Sequence, residues 1–117
     1  MSIQTKAIGR WGEDVACQFL ARRGYDILQR NYFCVGGEID IIAQRGEALC
    51  FFEVKTRRSH SAGSAEESVT PRKYRRVNHA ISHYLNRYDI QTDDLRRAVI
   101  TVRPLSSSRV KVGCWWV

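Results

Sequence analysis

The sequence lacks any long hydrophobic run. No apolar stretch in its 117 residues approaches the roughly 20 residues that a membrane-spanning helix needs, so we expect no membrane partner. The N-terminal segment MSIQTKAIGRWGED also has no apolar core ahead of its acidic residues, which argues against a secretion signal. Together these absences predict a cytoplasmic protein.

The cysteines lack the spacing of a metal or redox site. Cys17, Cys34, Cys50 and Cys114 form no C-x-x-C pair, and no histidine lies near them at zinc-ligand spacing. Three of them sit among apolar neighbours, which is typical of buried free thiols in a reducing compartment. No zinc finger or helix-turn-helix is apparent either, so we expect no element that reads base sequence.

Negative charge is scarce relative to positive charge. Twelve Asp and Glu residues stand against nineteen Lys and Arg residues, which leaves a net charge of +7 at pH 7, and fifteen of the basic residues are arginine. This balance favours a polyanionic partner, because each phosphate that a side chain neutralises releases a condensed counterion. The forked guanidinium also suits phosphate geometry. Ribosomal and membrane-surface proteins share this composition, so charge alone does not identify the partner.

Hydrophobic periodicity predicts two helices and five strands. The first helix ends at Gly24, and Thr70-Pro71 supplies a hydroxyl cap and an N-terminal proline for the second. The expected helices lie at 3–23 and 71–88, and the expected strands at 25–33, 38–43, 48–56, 96–102 and 110–117.

The order of these elements indicates the fold class. With no internal repeat and no domain boundary, we predict a single domain over 1–117. The order α-β-β-β-α-β-β predicts an α/β protein with a mixed five-stranded sheet flanked by helices. Residues 57–68 are rich in serine, alanine and glycine, and they predict a loop before the second helix.

The stretch GEIDIIAQRGEALCFFEVKTR, at 37–57, predicts a hairpin with one apolar face and one divided face. Side chains alternate between the two faces of a strand. The predicted apolar face carries Ile39, Ile41, Ala43, Cys50, Phe52 and Val54. The other face is apolar near the turn and charged at its far end, where it carries Glu38, Asp40, Glu53 and Lys55. The charged end is the candidate for a chemical site.

The charged residues of this hairpin meet only in one register. If a four-residue turn places Gln44 opposite Leu49, Asp40 lies opposite Glu53. Opposed carboxylates repel each other unless a cation lies between them, and their hard oxygens suit Mg²⁺ or Mn²⁺. Lys55 projects to the same side as Glu53, where it could orient a water or stabilise charge on a phosphate. The alternative is a solvated face of Glu–Lys pairs.

The two helices add weaker signals. Glu13 borders the apolar sector of the first helix, so it either reaches solvent or meets a polar site on the sheet. Lys73 falls inside the apolar face of the second helix, and burying an unpaired lysine is costly, so we expect it to point toward carboxylates or a bound phosphate. The other side of that helix is basic, either solvated or phosphate-tracking. This basic stripe comprises Arg72, Arg76, His79, His83 and Arg87.

Five motifs together resemble the YraN family of small bacterial proteins. They are GRWGED at 9–14, RNY at 30–32, GEIDIIA at 37–43, FFEVKTR at 51–57 and Lys73. The chain is also similar to the PD-(D/E)-x-K nuclease superfamily, in the arrangement of archaeal Holliday-junction resolvases. The proline of that superfamily label is absent, and Ile39 stands in its place.

This resemblance implies a restriction-endonuclease-like fold and a metal-dependent endonuclease that hydrolyses phosphodiester bonds of DNA. It implies that Glu13, Asp40, Glu53 and Lys55 are catalytic. It also implies that Mg²⁺ or Mn²⁺ binds to the three carboxylates and to the peptide carbonyl of Val54. Junction resolvases act as dimers, which leaves a homodimer open.

Charge and resemblance together predict a nuclease that selects its substrate by structure rather than by base sequence. The residues expected to hold nucleic acid are Lys73, Arg57, Arg58, Arg72 and Arg76. One alternative is a non-catalytic nucleic-acid-binding module on the same fold, which has no evident need for a lysine aligned with two carboxylates. Another is a structural protein whose hairpin charges are surface pairs, which would bind neither metal nor DNA.

Overall fold

A computed structural model describes residues 3–57 and 70–117 of the chain. The elements follow the predicted order. They are α1 (Ile3–Arg22), β1 (Asp26–Cys34), β2 (Gly37–Arg45), β3 (Ala48–Thr56), α2 (Pro71–Arg87), β4 (Leu95–Pro104) and β5 (Val110–Trp116). Neither helix in the described ranges is long and apolar enough to cross a membrane.

The five strands form one mixed sheet in chain order. The pairs β1–β2, β2–β3 and β4–β5 are antiparallel, whereas β3 and β4 are parallel. A parallel pair needs a crossover connection, and α2 lies within it. This confirms the predicted α/β class with a mixed sheet flanked by helices.

The two helices cover opposite faces of the sheet. The buried cluster beneath α1 comprises Ala16, Leu20, Tyr25, Ile41, Ala43, Ala48, Cys50, Phe52, Ala98, Ile100 and Val102. The cluster beneath α2 comprises Tyr32, Ile39, Ile42, Leu49, Phe51, Ala80, Ile81 and Tyr84. The central strands therefore bury side chains on both faces, which explains their near-continuous apolar runs.

The alternation of side chains breaks at Asp40, and this corrects one prediction. Regular alternation predicts Ile39 on the same face as Ile41, but Ile39 packs beneath α2 and Ile41 beneath α1. Asn31 lies opposite Asp40 in the β1–β2 register, and it has a left-handed φ of 53°. A regular strand does not contain a positive φ, so the alternation slips at this position.

Close backbone approaches fix both helices over the sheet. A Cβ added to Gly12 in α1 would collide with the side chain of Thr56 at the end of β3. A Cβ added to Gly37 would meet the backbone of α2, lying 3.0 Å from the Ala80 nitrogen. Only glycine permits these approaches. As a result, the middle of α1 lies against the end of β3, and the middle of α2 lies against the start of β2.

The four cysteines are unpaired thiols. Cys50 is buried, and Cys17, Cys34 and Cys114 are half-buried. Burial raises the pKa of Cys17, Cys50 and Cys114. A raised thiol pKa keeps the reactive thiolate scarce, which agrees with the predicted structural role.

Candidate active site

The β2–β3 register predicted from the turn is confirmed near that turn. Gln44 faces Leu49, and the pairs continue as far as Ile41 facing Phe52. Ile41 and Phe52 form the last backbone pair. Both strands lie wholly within the described ranges and continue past this pair, β2 back to Gly37 and β3 on to Thr56. The two strands therefore form a fork, with Asp40 at its opening.

Asp40 bridges the fork through its side chain. Its Oδ2 accepts a hydrogen bond from the backbone N–H of Val54 at 2.8 Å. The predicted backbone pair of Asp40 with Glu53 is not formed, because the paired region ends at Ile41 and Phe52, and the Asp40 carboxylate engages the backbone of Val54 instead. The bond satisfies a backbone donor that no longer has a strand partner on that side.

The surroundings of Asp40 disfavour its charge. Burial, the largest cause, raises the pKa of Asp40 to about 6, and the bond from Val54 opposes that shift. The carboxylates of Glu13, Glu53 and Glu38 also contribute to this raised pKa. Asp40 therefore shares one electrostatic neighbourhood with the other predicted acidic residues, and a cation placed there would be favourable.

Two lysines flank Glu53. Lys55 Nζ lies 3.1 Å from Glu53 Oε1, and Lys73 Nζ lies 4.0 Å from the same oxygen. The prediction that Lys73 points toward a carboxylate is thus confirmed. Burial opposes the charge of Lys55, but the adjacent Lys73 amine and the carboxylates of Glu53 and Asp40 raise its pKa. The neighbouring Lys55 and burial lower the pKa of Lys73, so Lys55 holds its proton more firmly.

Glu13 reaches the sheet from α1. Its side chain is 16% exposed and lies 3.8 Å from Arg30. Its Oε2 also accepts a hydrogen bond from Asn31 Nδ2 at 3.4 Å. Arg30 is engaged more closely by Asp14, at 2.8 Å. Glu13 is therefore tethered to β1 at the position opposite Asp40, rather than extended into solvent.

Sequence reasoning assigned no role to Asn31. Asn31 belongs to the RNY motif, and asparagine tolerates a left-handed φ better than most residues. The asparagine could therefore have indicated an irregularity in β1. The residues around it, however, do not distinguish such an irregularity from an ordinary strand position. The contact between Asn31 and Glu13 joins residues 18 apart in sequence.

Two cavities meet at the fork. The first has a volume of about 270 Å³, and its polar lining is Glu38, Asp40, Glu53, Lys55, Lys73 and Arg76. The second has a volume of about 380 Å³, and its polar lining is Glu13, Asp40, Lys55 and Thr56. Asp40 and Lys55 line both cavities, and Asp40 shares the first with Glu53. The four residues predicted to be catalytic therefore border adjoining spaces.

The carboxylates around Asp40 could hold a hard cation only in a site where water or substrate supplies the remaining ligands. Within residues 3–57 and 70–117, no three His, Cys, Asp or Glu side chains converge into a metal-binding group. Mg²⁺ is commonly held by one or two carboxylates, with water and substrate phosphate completing its shell. Asp40 and Glu53, which line one cavity, fit that limited role.

The residues predicted to hold nucleic acid occupy different places. Lys73 and Arg76 line the first cavity. Arg57 directly follows β3, and its charge contributes to the lowered pKa of Lys73. Arg72 is exposed in the first turn of α2. Arg58 lies outside the described residues.

Comparison with known proteins identifies a family rather than an activity. The sequence model of "Uncharacterised protein family UPF0102" matches residues 12–102, which include every predicted catalytic residue. A UPF0102 protein of Clostridium perfringens is 48% identical over 86 residues, 74% of this chain and 70% of that protein. One of Desulfitobacterium hafniense is 41% identical over 118 residues, 100% of this chain and 98% of its own. One of Frankia casuarinae is 42% identical over 106 residues, 91% and 90% of the two chains.

Proposed function

The chain belongs to the uncharacterised protein family UPF0102, the YraN family, and we propose that it is a metal-dependent nuclease that hydrolyses phosphodiester bonds of DNA. One observation carries the proposal: Glu53, with Lys55 at 3.1 Å, lines the same cavity as the Asp40 carboxylate. A solvated Glu–Lys surface pair would not border a carboxylate whose pKa burial raises to about 6. Perturbed acids in a cleft beside a specific charge partner are typical of functional sites.

Asp40 and Glu53 would hold Mg²⁺ or Mn²⁺, with Glu13 assisting directly or through water. The carbonyl of Val54 would be a further ligand. In an extended strand the N–H and the C=O of one residue point to the same edge, and the N–H of Val54 reaches Asp40, so its carbonyl faces the fork as well. When bound, the ion supplies a Lewis acid for the phosphate and lowers the pKa of the attacking water.

Lys55 supplies the fixed positive charge of the reaction. Its ion pair with Glu53 orients the amine toward the cavity, and its raised pKa keeps it protonated. From there it donates a hydrogen bond to the attacking water or to a phosphate oxygen on which negative charge builds. Lys73 and Arg76, on the α2 side of the cavity, bind the phosphate groups next to the scissile bond.

Recognition by this protein would depend on substrate structure. The sequence has no zinc finger or helix-turn-helix signature, so its contacts would be mainly to the phosphate backbone. Selectivity then comes from the shape of a branch, flap, end or single strand. Binding through lysine and arginine weakens steeply as salt increases. We also propose a cytoplasmic location, and the oligomeric state stays open between a monomer and a homodimer.

A cleavage panel tests the proposal. Single-stranded, duplex, flap and four-way-junction DNA, together with the matching RNA strands, are incubated with Mn²⁺, Mg²⁺ or EDTA. We expect metal-dependent cleavage, slowed about 100-fold or more by Asp40→Asn, Glu53→Gln or Lys55→Met. Glu47→Gln is the matched control, because Glu47 lies in the turn at the other end of the same hairpin.

Three outcomes separate the candidate functions. Cleavage that persists in Asp40→Asn at the unmodified rate indicates a contaminating nuclease and contradicts the assignment. Binding without cleavage in any metal, with an affinity unchanged by Asp40→Asn, indicates the non-catalytic binding module. Absence of both nucleic-acid binding and metal-induced thermal stabilisation indicates the structural role.

A further inference from the structure

The tip of the β1–β2 hairpin carries exposed apolar side chains close to the candidate site. Phe33 is 66% exposed and Val35 is 95% exposed. Phe33 lies at the end of β1, and Val35 lies in the turn that follows. A single exposed apolar residue is ordinary on a protein surface. Exposure alone therefore does not indicate a binding site, and what matters for Phe33 is its position next to the candidate site.

Phe33 stands beside the first cavity. It pairs across the strands with Glu38, and Tyr32 pairs with Ile39. Glu38 and Ile39 both line the cavity that contains Asp40. Cross-strand partners have Cβ atoms about 4.5–5.5 Å apart, so Phe33 adjoins a residue of the cavity lining, although it does not line the cavity itself.

The residues next to Phe33 in the β1–β2 hairpin are fixed by contacts with α2. Tyr32 is fully buried beneath α2, and its hydroxyl contacts His83 Nδ1. Gly37 packs against the backbone of the same helix. Because neighbouring side chains alternate between faces, Phe33 projects away from α2 and into the open. The ring of Phe33 is therefore an exposed flat surface, and the preceding residue, Tyr32, fixes the strand against α2.

The charges near the cavity indicate which part of a nucleic acid would reach Phe33. Lys73 and Arg76 line the α2 side and attract backbone phosphates. Glu38, the partner of Phe33, repels phosphate from the hairpin side. The uncharged base is the part of a nucleotide that suits this side, and every base offers a face that can stack on an aromatic ring.

We infer that Phe33, supported by Val35, is a stacking platform for an unpaired base next to the scissile phosphate. The substrate class is then nucleic acid with single-stranded character at the cleavage site, since bases inside a duplex already stack on one another. This inference rests on the proposed function, because it takes the cavity of Asp40 as the place where phosphate binds.

A binding experiment in EDTA tests the platform without requiring cleavage. Fluorescence anisotropy compares a labelled dT oligonucleotide with a blunt duplex of the same length, at one fixed salt concentration. We expect Phe33→Ala to weaken dT binding about tenfold and to change duplex binding less than about twofold. Phe33→Trp should retain dT binding, because indole also stacks. Leu28→Ala is the matched control, since Leu28 is an exposed apolar residue of the same strand, 46% exposed.

The outcomes distinguish this inference from the proposed function. The inference is overturned if Phe33→Ala leaves dT affinity unchanged, weakens duplex binding equally, or behaves like Leu28→Ala. If cleavage depends on Asp40 while dT binding ignores Phe33, only the platform fails. If dT binding depends on Phe33 but no metal supports cleavage, the platform stands and the nuclease proposal fails. Thermal melting of each variant identifies any loss that comes from misfolding.

Discussion

The two ends of the β2–β3 hairpin use the same strands for different purposes. At the turn end the strands pair through Ile41 and Phe52, and the side chains are buried on both faces. At the other end the strands form the fork, with Asp40, Glu53 and Lys55 around it. The paired end supplies apolar burial, and the forked end supplies half-buried charge.

This difference shows where a small sheet can accommodate a charged site. A carboxylate placed among the paired strands would lose water without gaining a cation or a donor. At the fork, Asp40 takes the backbone N–H of Val54, and the adjoining cavities leave room for water, an ion or phosphate. The raised pKa of Asp40 shows that the arrangement still disfavours its charge. The buried apolar end must therefore stabilise the fold against it.

Removing a large side chain from the paired end should have the largest effect on stability. Phe52 is 1% exposed, and its ring lies 5.6 Å from that of Tyr25 and 5.9 Å from that of Trp116. Phe52→Ala should lower the free energy of unfolding by about 3–5 kcal/mol, measured by urea denaturation. Glu53→Gln, one residue further along the strand, should change it by less than about 1 kcal/mol. Equal losses in the two variants would remove the distinction between the ends.

Neutralising Asp40 should stabilise the metal-free protein, but only at neutral and alkaline pH. The pKa of Asp40 is raised from 3.8 to about 6, so the folded state binds more protons than the unfolded state between these values. Its contribution to stability therefore falls as pH rises from about 4 to 6, by about 3 kcal/mol in total. Asp40→Asn keeps an acceptor for Val54 and avoids this loss. Urea denaturation at pH 8 should show the gain, and at pH 4 it should vanish.

Asp94→Asn is the matched control for that experiment. The hydrogen bond from Arg96 lowers the pKa of Asp94, so its neutralisation should not stabilise the protein at pH 8. Mn²⁺ should raise the melting temperature of the unmodified protein above pH 6 and leave that of Asp40→Asn unchanged. A gain for Asp40→Asn that is equal at both pH values would show that the carboxylate charge is not its cause.

The paired end could be predicted from the sequence because its rules are local. Strand alternation and the length of the turn place Gln44 opposite Leu49, and the structure has that pair. The burial of Ile42 and Phe51 beneath a helix also follows from apolar residues on both faces of β2 and β3. The element order needed no more than periodicity, caps and turns.

The forked end could be predicted in its residues but not in its geometry. The family resemblance predicted that Glu13, Asp40, Glu53 and Lys55 act together. The alternation of side chains predicted neither the hydrogen bond from Val54 to Asp40 nor the face of the sheet on which Ile39 lies. The physical reason is that the slip depends on a left-handed residue in β1 and on its contact with α1. Both lie outside the β2–β3 hairpin, so the alternation of side chains within the hairpin does not indicate them.

Substitutions of Asn31 test what shapes the fork, because they separate the role of its backbone conformation from the role of its side chain. Asn31→Gly removes the amide that donates to Glu13 but readily adopts the left-handed φ of 53°. Asn31→Ala removes the amide and also strains the backbone. The alanine variant should therefore be less stable than the glycine variant by about 1 kcal/mol in urea denaturation. Equal stabilities would mean that the left-handed conformation is not retained.

The same pair of variants tests whether Glu13 assists the metal. Both variants release Glu13 from the tether that holds it opposite Asp40, so both should weaken Mn²⁺ binding by about tenfold, as loss of an outer contact to a ligand commonly does. A titration of melting temperature against Mn²⁺ measures this. If only Asn31→Ala loses affinity, backbone strain at the slip controls the site. If neither does, Glu13 lies outside the metal's reach, and the fork binds through Asp40 and Glu53 alone.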